Sequence, residues 1–176
     1  CLGGKTYELL DKNFPTIDPD NPYELSKEEH EVVERLVSAF VNCEKLQRHM
    51  QLLLKKGSLY KIYNRNLLYH GCIPLNEDGS FREVEVYGKS YKGKELYDVL
   101  ETYVRKAFVA LDKEEKEKGK DILWFIWSSP SSPLFGKDKM ATFERYFLAE
   151  EETHVENKNP YYSLLESDKV AEQIMK

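Results

Sequence analysis

Asn66 to Leu75, read as NLLYHGCIPL, is the stretch most suggestive of chemistry. A short apolar run that reads as a buried strand ends on His70, with Gly71, Cys72 and Pro74 directly behind. Neutral imidazole is the commonest metal ligand, and a second-shell acceptor on its other nitrogen sets its orientation. A strand end is the rim of a sheet, where α/β folds place their ligands. The glycine behind it lets backbone come close to such a site. A core histidine with one hydrogen-bond partner satisfies the same pattern, so these residues leave both readings open.

Other local signatures are absent. The chain has no GxxxxGK[ST], GxGxxG, GxSxG or HExxH, so neither a nucleotide fold nor a serine hydrolase is supported. DPDNP (18–22) falls short of a calcium loop, because Pro22 and Tyr23 occupy positions that need a side-chain ligand and a glycine. His30 and His49 have no partner at ligand spacing, and His154 reads as a surface histidine. Cys72 reads as a small packing residue.

The elements that must hold His70 follow from periodicity. DKNFPTIDPDNPYELS (11–26) predicts an extended, turn-rich connector, since proline fixes φ and restricts the residue before it. SKEE (26–29) is a capping box. Val33, Leu36, Val37, Phe40, Leu46, Met50 and Leu53 then predict one long helix that Gly57 ends. SLYKIY and NLLYH predict a hairpin around Asn64-Arg65, NEDGSF a turn, and FREVEVYGKSYKG a second hairpin. A helix is expected from Lys94 to about Glu115, and the charge run DKEEKEKGKD (112–121) reads as its solvated end and a loop. ILWFIW (122–127) reads as buried. A Ser/Pro loop follows, and a last helix is expected from about Ser167. Helices interleave with strands, which predicts an α/β piece.

Bulk properties bound the function. The chain has 176 residues, enough for one domain with a core. Its formal net charge of −5 disfavours general nucleic-acid or membrane-surface binding. The three cysteines lack CxxC spacing and cannot all pair internally, which points to a reducing compartment. No apolar stretch approaches the roughly 20 residues of a membrane span.

Four stretches resemble the class-III fructose-1,6-bisphosphatases of bacteria: NFPTIDPDNPYELS, EKLQRHMQLLLKKGSLYKIYN, YNRNLLYHGCIPLNEDGSF and LFGKDKMATFERYFLAEEETHVENKNPYYSL. Together they cover nearly the whole chain. That family is similar to the calcineurin-like metallophosphoesterases. Their two-metal site combines DxH, GDxxDR and GNH motifs with a His-Gly strand end and a late GH. LLYHGCIP matches the His-Gly element, so the resemblance implies that His70 is one ligand of a metal pair, usually manganese. The other motifs are missing. The chain therefore resembles an interior-to-late segment of a larger enzyme, in keeping with its start at Cys1, and is expected to be inactive alone.

The resemblance implies an α/β (α+β) fragment of a calcineurin-like sandwich with a long inserted helix. Residues 1–176 would form a single partial domain, with 1–56 as connector and helix and 57–176 as part of the core. It also implies hydrolysis of the 1-phosphate of fructose 1,6-bisphosphate to fructose 6-phosphate, a gluconeogenic step in the cytoplasm. Two divalent ions about 3.5–4 Å apart would activate water and clamp the phosphoryl oxygens. Lys137, Lys139 and Arg145 near Gly136, and Arg65 in the first hairpin, are candidates for the second phosphate. The expected partners are the sugar bisphosphate and the remainder of the same enzyme. The rival readings are a metallophosphatase with another substrate, such as a phosphoprotein, and a non-catalytic interaction module with a tyrosine-rich surface.

Overall fold

The computed structural model describes residues 2–175. The chain packs as two compact units: residues up to Gly57 together with Phe147–Ala149, and Ser58–Tyr146 together with the residues from Glu150 onward.

In the first unit, the connector is exposed over residues 11–25, as its prolines predict. The Leu10 amide donates to the Phe147 carbonyl at 2.8 Å, and the Phe14 and Phe147 rings lie 5.8 Å apart. Ser26 caps α1 (Lys27–Val41) with the capping box the sequence predicts: its Oγ accepts from the Glu29 amide, and the Glu29 carboxylate accepts from the Ser26 amide. Thr16 Oγ1 donates to the same carboxylate at 2.7 Å, tying the connector to the start of the helix. The long helix is broken. Asn42 turns its side chain to Ser38 Oγ, and Cys43 is extended before α2 (Glu44–Lys56) begins. Asparagine competes for local backbone and side-chain partners, so it is a natural breaking point. Gly57 closes α2, its amide donating to the Leu53 carbonyl at 2.7 Å. Neither helix has a buried residue.

The second unit opens with a hairpin of β1 (Tyr60–Tyr63) and β2 (Asn66–Tyr69), with Tyr60 opposite Tyr69 and Tyr63 opposite Asn66. Asn64 and Arg65 sit at φ +49 and +64, as a two-residue hairpin turn requires at both central positions. β3 (Val84–Val86) and β4 (Lys89–Tyr91) repeat the device with Tyr87 and Gly88 at φ +48 and +81. Each sheet stops at two antiparallel strands. The expectation of an α/β piece is therefore corrected to α+β. Two-residue turns commit neighbouring strands to antiparallel pairing, whereas a parallel pair needs a crossover of a dozen residues or more.

α3 (Gly93–Val109) and α4 (Lys113–Ser128) pack along each other. The charge run is not a loop but the first half of α4. Asp112 accepts from the Glu115 amide at 2.9 Å, and Glu114–Lys118 and Glu117–Lys120 pair along the helix. ILWFIW continues the same helix and is not buried as a block. Ile122 and Ile126, four apart, join Val84, Val86, Leu96 and Leu100 in one core cluster, while Trp124 and Trp127 are 70% and 72% exposed. A second cluster gathers Cys72, Ile73, Leu75, Tyr97, Tyr161 and Val170. Val170 comes from the last helix, Asp168–Met175, where the sequence expects one. Among the described residues no helix is long and apolar enough to cross a membrane.

Gly119 sets the spacing of α3 and α4. A Cβ there would lie 2.4 Å from the Ala107 nitrogen and 2.6 Å from the Tyr103 carbonyl oxygen. Alanine in a helix gains about 1 kcal/mol over glycine, but forcing extra volume into a packed contact costs about 1–3 kcal/mol. Gly119→Ala is expected to destabilise on balance, read as a lower midpoint in chemical denaturation. A raised midpoint would show that the two helices separate freely.

Candidate functional site

β2 ends at Tyr69, and His70 follows it directly. The strand is half-exposed rather than buried, because the hairpin has only two strands. His70 is exposed, and among the described residues its ring has no hydrogen-bond or ion-pair partner. Within residues 1–176 His70 is therefore not packed in a core. What remains is an uncommitted imidazole at the end of a strand.

Its position is fixed from the next residue. Gly71 sits at φ +88, and a Cβ on it would lie 2.2 Å from the Pro133 carbonyl oxygen. The Cys72 amide donates to that same carbonyl at 2.8 Å. Gly136, at φ +58, closes the other side, where a Cβ would lie 2.6 Å from Cys72 Sγ. Cys72 is fully buried, and burial pushes its thiol up to about 11. Its Sγ faces the Ser132 carbonyl at 3.6 Å, and the side chain packs in the core as a small apolar group. Tyr97 donates its hydroxyl to the Cys72 carbonyl at 2.9 Å.

Two buried polar residues that sequence reasoning missed hold this junction. Ser132 Oγ donates to the Ile126 carbonyl at 2.6 Å and accepts from the Leu134 and Phe135 amides. Asn159 Oδ1 accepts from the Leu75 amide at 3.1 Å and the Tyr161 amide at 3.0 Å, and its own amide donates to the Gly136 carbonyl at 2.8 Å. SSPSSP and the Asn159-Pro160 dipeptide are turn signals, but nothing local to them announces burial.

The four candidate cations separate into two groups. Lys137 Nζ donates to Glu156 Oε2 at 2.6 Å. Arg145 lies 3.5 Å from the other oxygen of the same carboxylate and donates to the His154 carbonyl. Lys139 donates to the Thr153 carbonyl at 2.6 Å and reaches buried Glu144 at 3.5 Å. His154 is half-buried, with Nε2 3.1 Å from the Glu144 carbonyl, rather than a surface histidine. Arg65 stands apart: among the described residues its guanidinium has no ion-pair partner. It helps line an apolar hollow of about 330 Å³ with Tyr60, Leu67, Phe81, Tyr97 and Ile174, and His70 is not among its walls.

Among the described residues no three His, Cys, Asp or Glu side chains gather where they would hold a metal ion. His70 alone does not make a metal centre.

The hydrogen bond from Lys137, the Ala141 amide and the nearby charges of Lys137 and Arg145 hold the Glu156 carboxyl below the ordinary carboxylate range. A lowered folded-state pKa stabilises the protein above the unfolded value, about 4.3, and that contribution is lost as pH falls through the folded value. Glu156→Gln is therefore expected to lower the melting temperature at pH 7, with the gap to wild type shrinking as pH drops below about 4. A gap that stays constant with pH would show that charge is not what Glu156 contributes.

Comparison with known proteins places the chain. The family model described as Firmicute fructose-1,6-bisphosphatase matches residues 1–176. A fructose-1,6-bisphosphatase class 3 of Clostridium beijerinckii is 51% identical over 99% of this chain and 26% of its own length. One of Listeria innocua is 51% identical over 99% of this chain and 27% of its own length. One of Clostridium botulinum is 54% identical over 96% of this chain and 25% of its own length. No solved structure matches significantly. The chain spans about a quarter of the length of the curated relatives it matches, and it belongs to the Firmicute fructose-1,6-bisphosphatase family.

Proposed function

We propose that these residues are one part of a larger phosphatase that removes the 1-phosphate of fructose 1,6-bisphosphate, giving fructose 6-phosphate and phosphate. The family match and the names of the relatives support the substrate. The observation that carries the chemistry is the uncommitted ring of His70, held at a strand end by the close approach of Gly71 to Pro133. His70 contributes one neutral nitrogen to a divalent-metal site, manganese being the expected ion. The other ligands come from polypeptide outside residues 1–176, and for that reason the 176 residues alone are inactive. A bound metal pair supplies Lewis acidity toward the phosphoryl oxygens. In the same proposal, residues 1–176 form one partial domain of a calcineurin-like sandwich, and the enzyme works in the cytoplasm.

Arg65 is the foremost of the four cations for a substrate phosphate. Lys137, Lys139 and Arg145 can serve one only by giving up Glu156 and Glu144. Arg65 and His70 lie at opposite ends of a hairpin whose strands rise about 3.4 Å per residue. Arg65 therefore suits the phosphate that is not cleaved.

In the full-length enzyme, His70→Ala is expected to weaken manganese binding by at least about 100-fold, more than loss of an outer-shell partner, with the circular-dichroism spectrum unchanged. Metal titration at unaltered affinity would overturn the assignment. Arg65→Ala should raise KM for fructose 1,6-bisphosphate with little change in kcat, and an unchanged KM removes Arg65 from the substrate site. Hydrolysis of a phosphopeptide in preference to the sugar bisphosphate would favour the phosphoprotein reading.

A further inference from the structure

α1 is amphipathic, and among the described residues none buries its apolar side chains. Val33, Leu36, Val37 and Phe40 recur at three- and four-residue spacing along one face, and each is 42% to 66% exposed. Val41 extends the stripe at 62%. α1 and α2 share no extended packing. A surface helix normally buries such a stripe against a core, and a contiguous exposed apolar patch marks an interaction surface. Stability makes the same demand. α1 has 15 residues, and an isolated helix of that length is marginal in water. Its capping box contributes only about 1 kcal/mol.

We propose that the Val33–Leu36–Val37–Phe40 face is the seat of a segment of the same polypeptide that lies outside residues 1–176. The length of the relatives argues for this occupant. They are about four times as long as this chain, so an intact relative carries about three times as much additional polypeptide as is present here. At about 100° per residue, Glu31 falls on the side of α1 opposite the Val33–Phe40 stripe, and Glu28 and Glu34 also lie off it. The seat is therefore defined by its apolar side chains, and the covering segment is apolar where it meets them. The inference rests on the proposal that the chain is part of a longer enzyme, but not on that enzyme's substrate.

The test is photocrosslinking in the full-length enzyme. Leu36→benzoylphenylalanine and, separately, Phe40→benzoylphenylalanine are irradiated, and the products are mapped by mass spectrometry in a mixture of isotopically light and heavy protein. Glu28→benzoylphenylalanine is the control. The expected result is light–light and heavy–heavy crosslinks from positions 36 and 40 to residues outside 1–176. Light–heavy products would mean that a second copy covers the face. Crosslinks confined to residues 1–176, or no more product than at position 28, would equally overturn the proposal. Fructose 1,6-bisphosphate hydrolysis is assayed beside it. Expected crosslinks in a protein that does not hydrolyse the sugar would sink the functional reading and leave this one standing.

Discussion

The backbone of Gly71 lies against the Pro133 carbonyl with no room between them for a side chain. That contact orders the second unit from both sides. On one side it ends the β1–β2 hairpin and leaves His70 facing out, with its ring uncommitted. On the other it feeds Cys72, Ile73, Pro74 and Leu75 into the interior, where all four are buried. Any other residue at position 71 meets the carbonyl and must also adopt a φ near +88, which side-chain-bearing residues rarely do. The loop that supplies Pro133 is in turn held to the end of α4 by buried Ser132, and to the 157–161 segment by Asn159. Buried polar groups are tolerated because each is satisfied, and no buried side-chain polar atom among the described residues lacks a partner.

Sequence reasoning reached the parts of this arrangement that local chemistry dictates. The Asn64-Arg65 turn, the capping box at Ser26, the stop at Gly57 and the final helix are each specified by a few neighbouring residues. The errors arose where tertiary context decided. Lys113 to Asp121 carries so many charges that it reads as a loop, yet its glutamates and lysines fall at helical spacing and pair along α4. In ILWFIW only the two isoleucines face the core, because a helix buries one stripe and not a run. Overall hydrophobicity cannot make that distinction, whereas a strict period of 3.6 over 113–128 would have. The break at Asn42 has a weaker signal, a single residue of poor helix propensity.

His70 was legible from its strand-end position and the glycine behind it, but its exposure was not. The strand before it reads as buried from its composition alone, and only the two-stranded pairing leaves it half open. The opposite happened to Lys137, Lys139 and Arg145. They read as free cations around a glycine, and the fold commits them to Glu156, Glu144 and nearby carbonyls. Their acidic partners lie up to 19 residues away in sequence, beyond what spacing reveals. Much of this network serves to close the 136–159 region on itself. Of the candidate residues His70 and Arg65 stay uncommitted, one at each end of β2.

The most direct measurement is a crystal structure of the full-length protein grown with manganese, with anomalous differences recorded at the manganese edge. An anomalous peak is expected within about 2.3 Å of a ring nitrogen of His70, a bonding distance for imidazole and a first-row divalent ion, with the remaining ligands drawn from outside residues 1–176. Manganese peaks elsewhere, with the His70 ring in solvent or against apolar side chains, would contradict it.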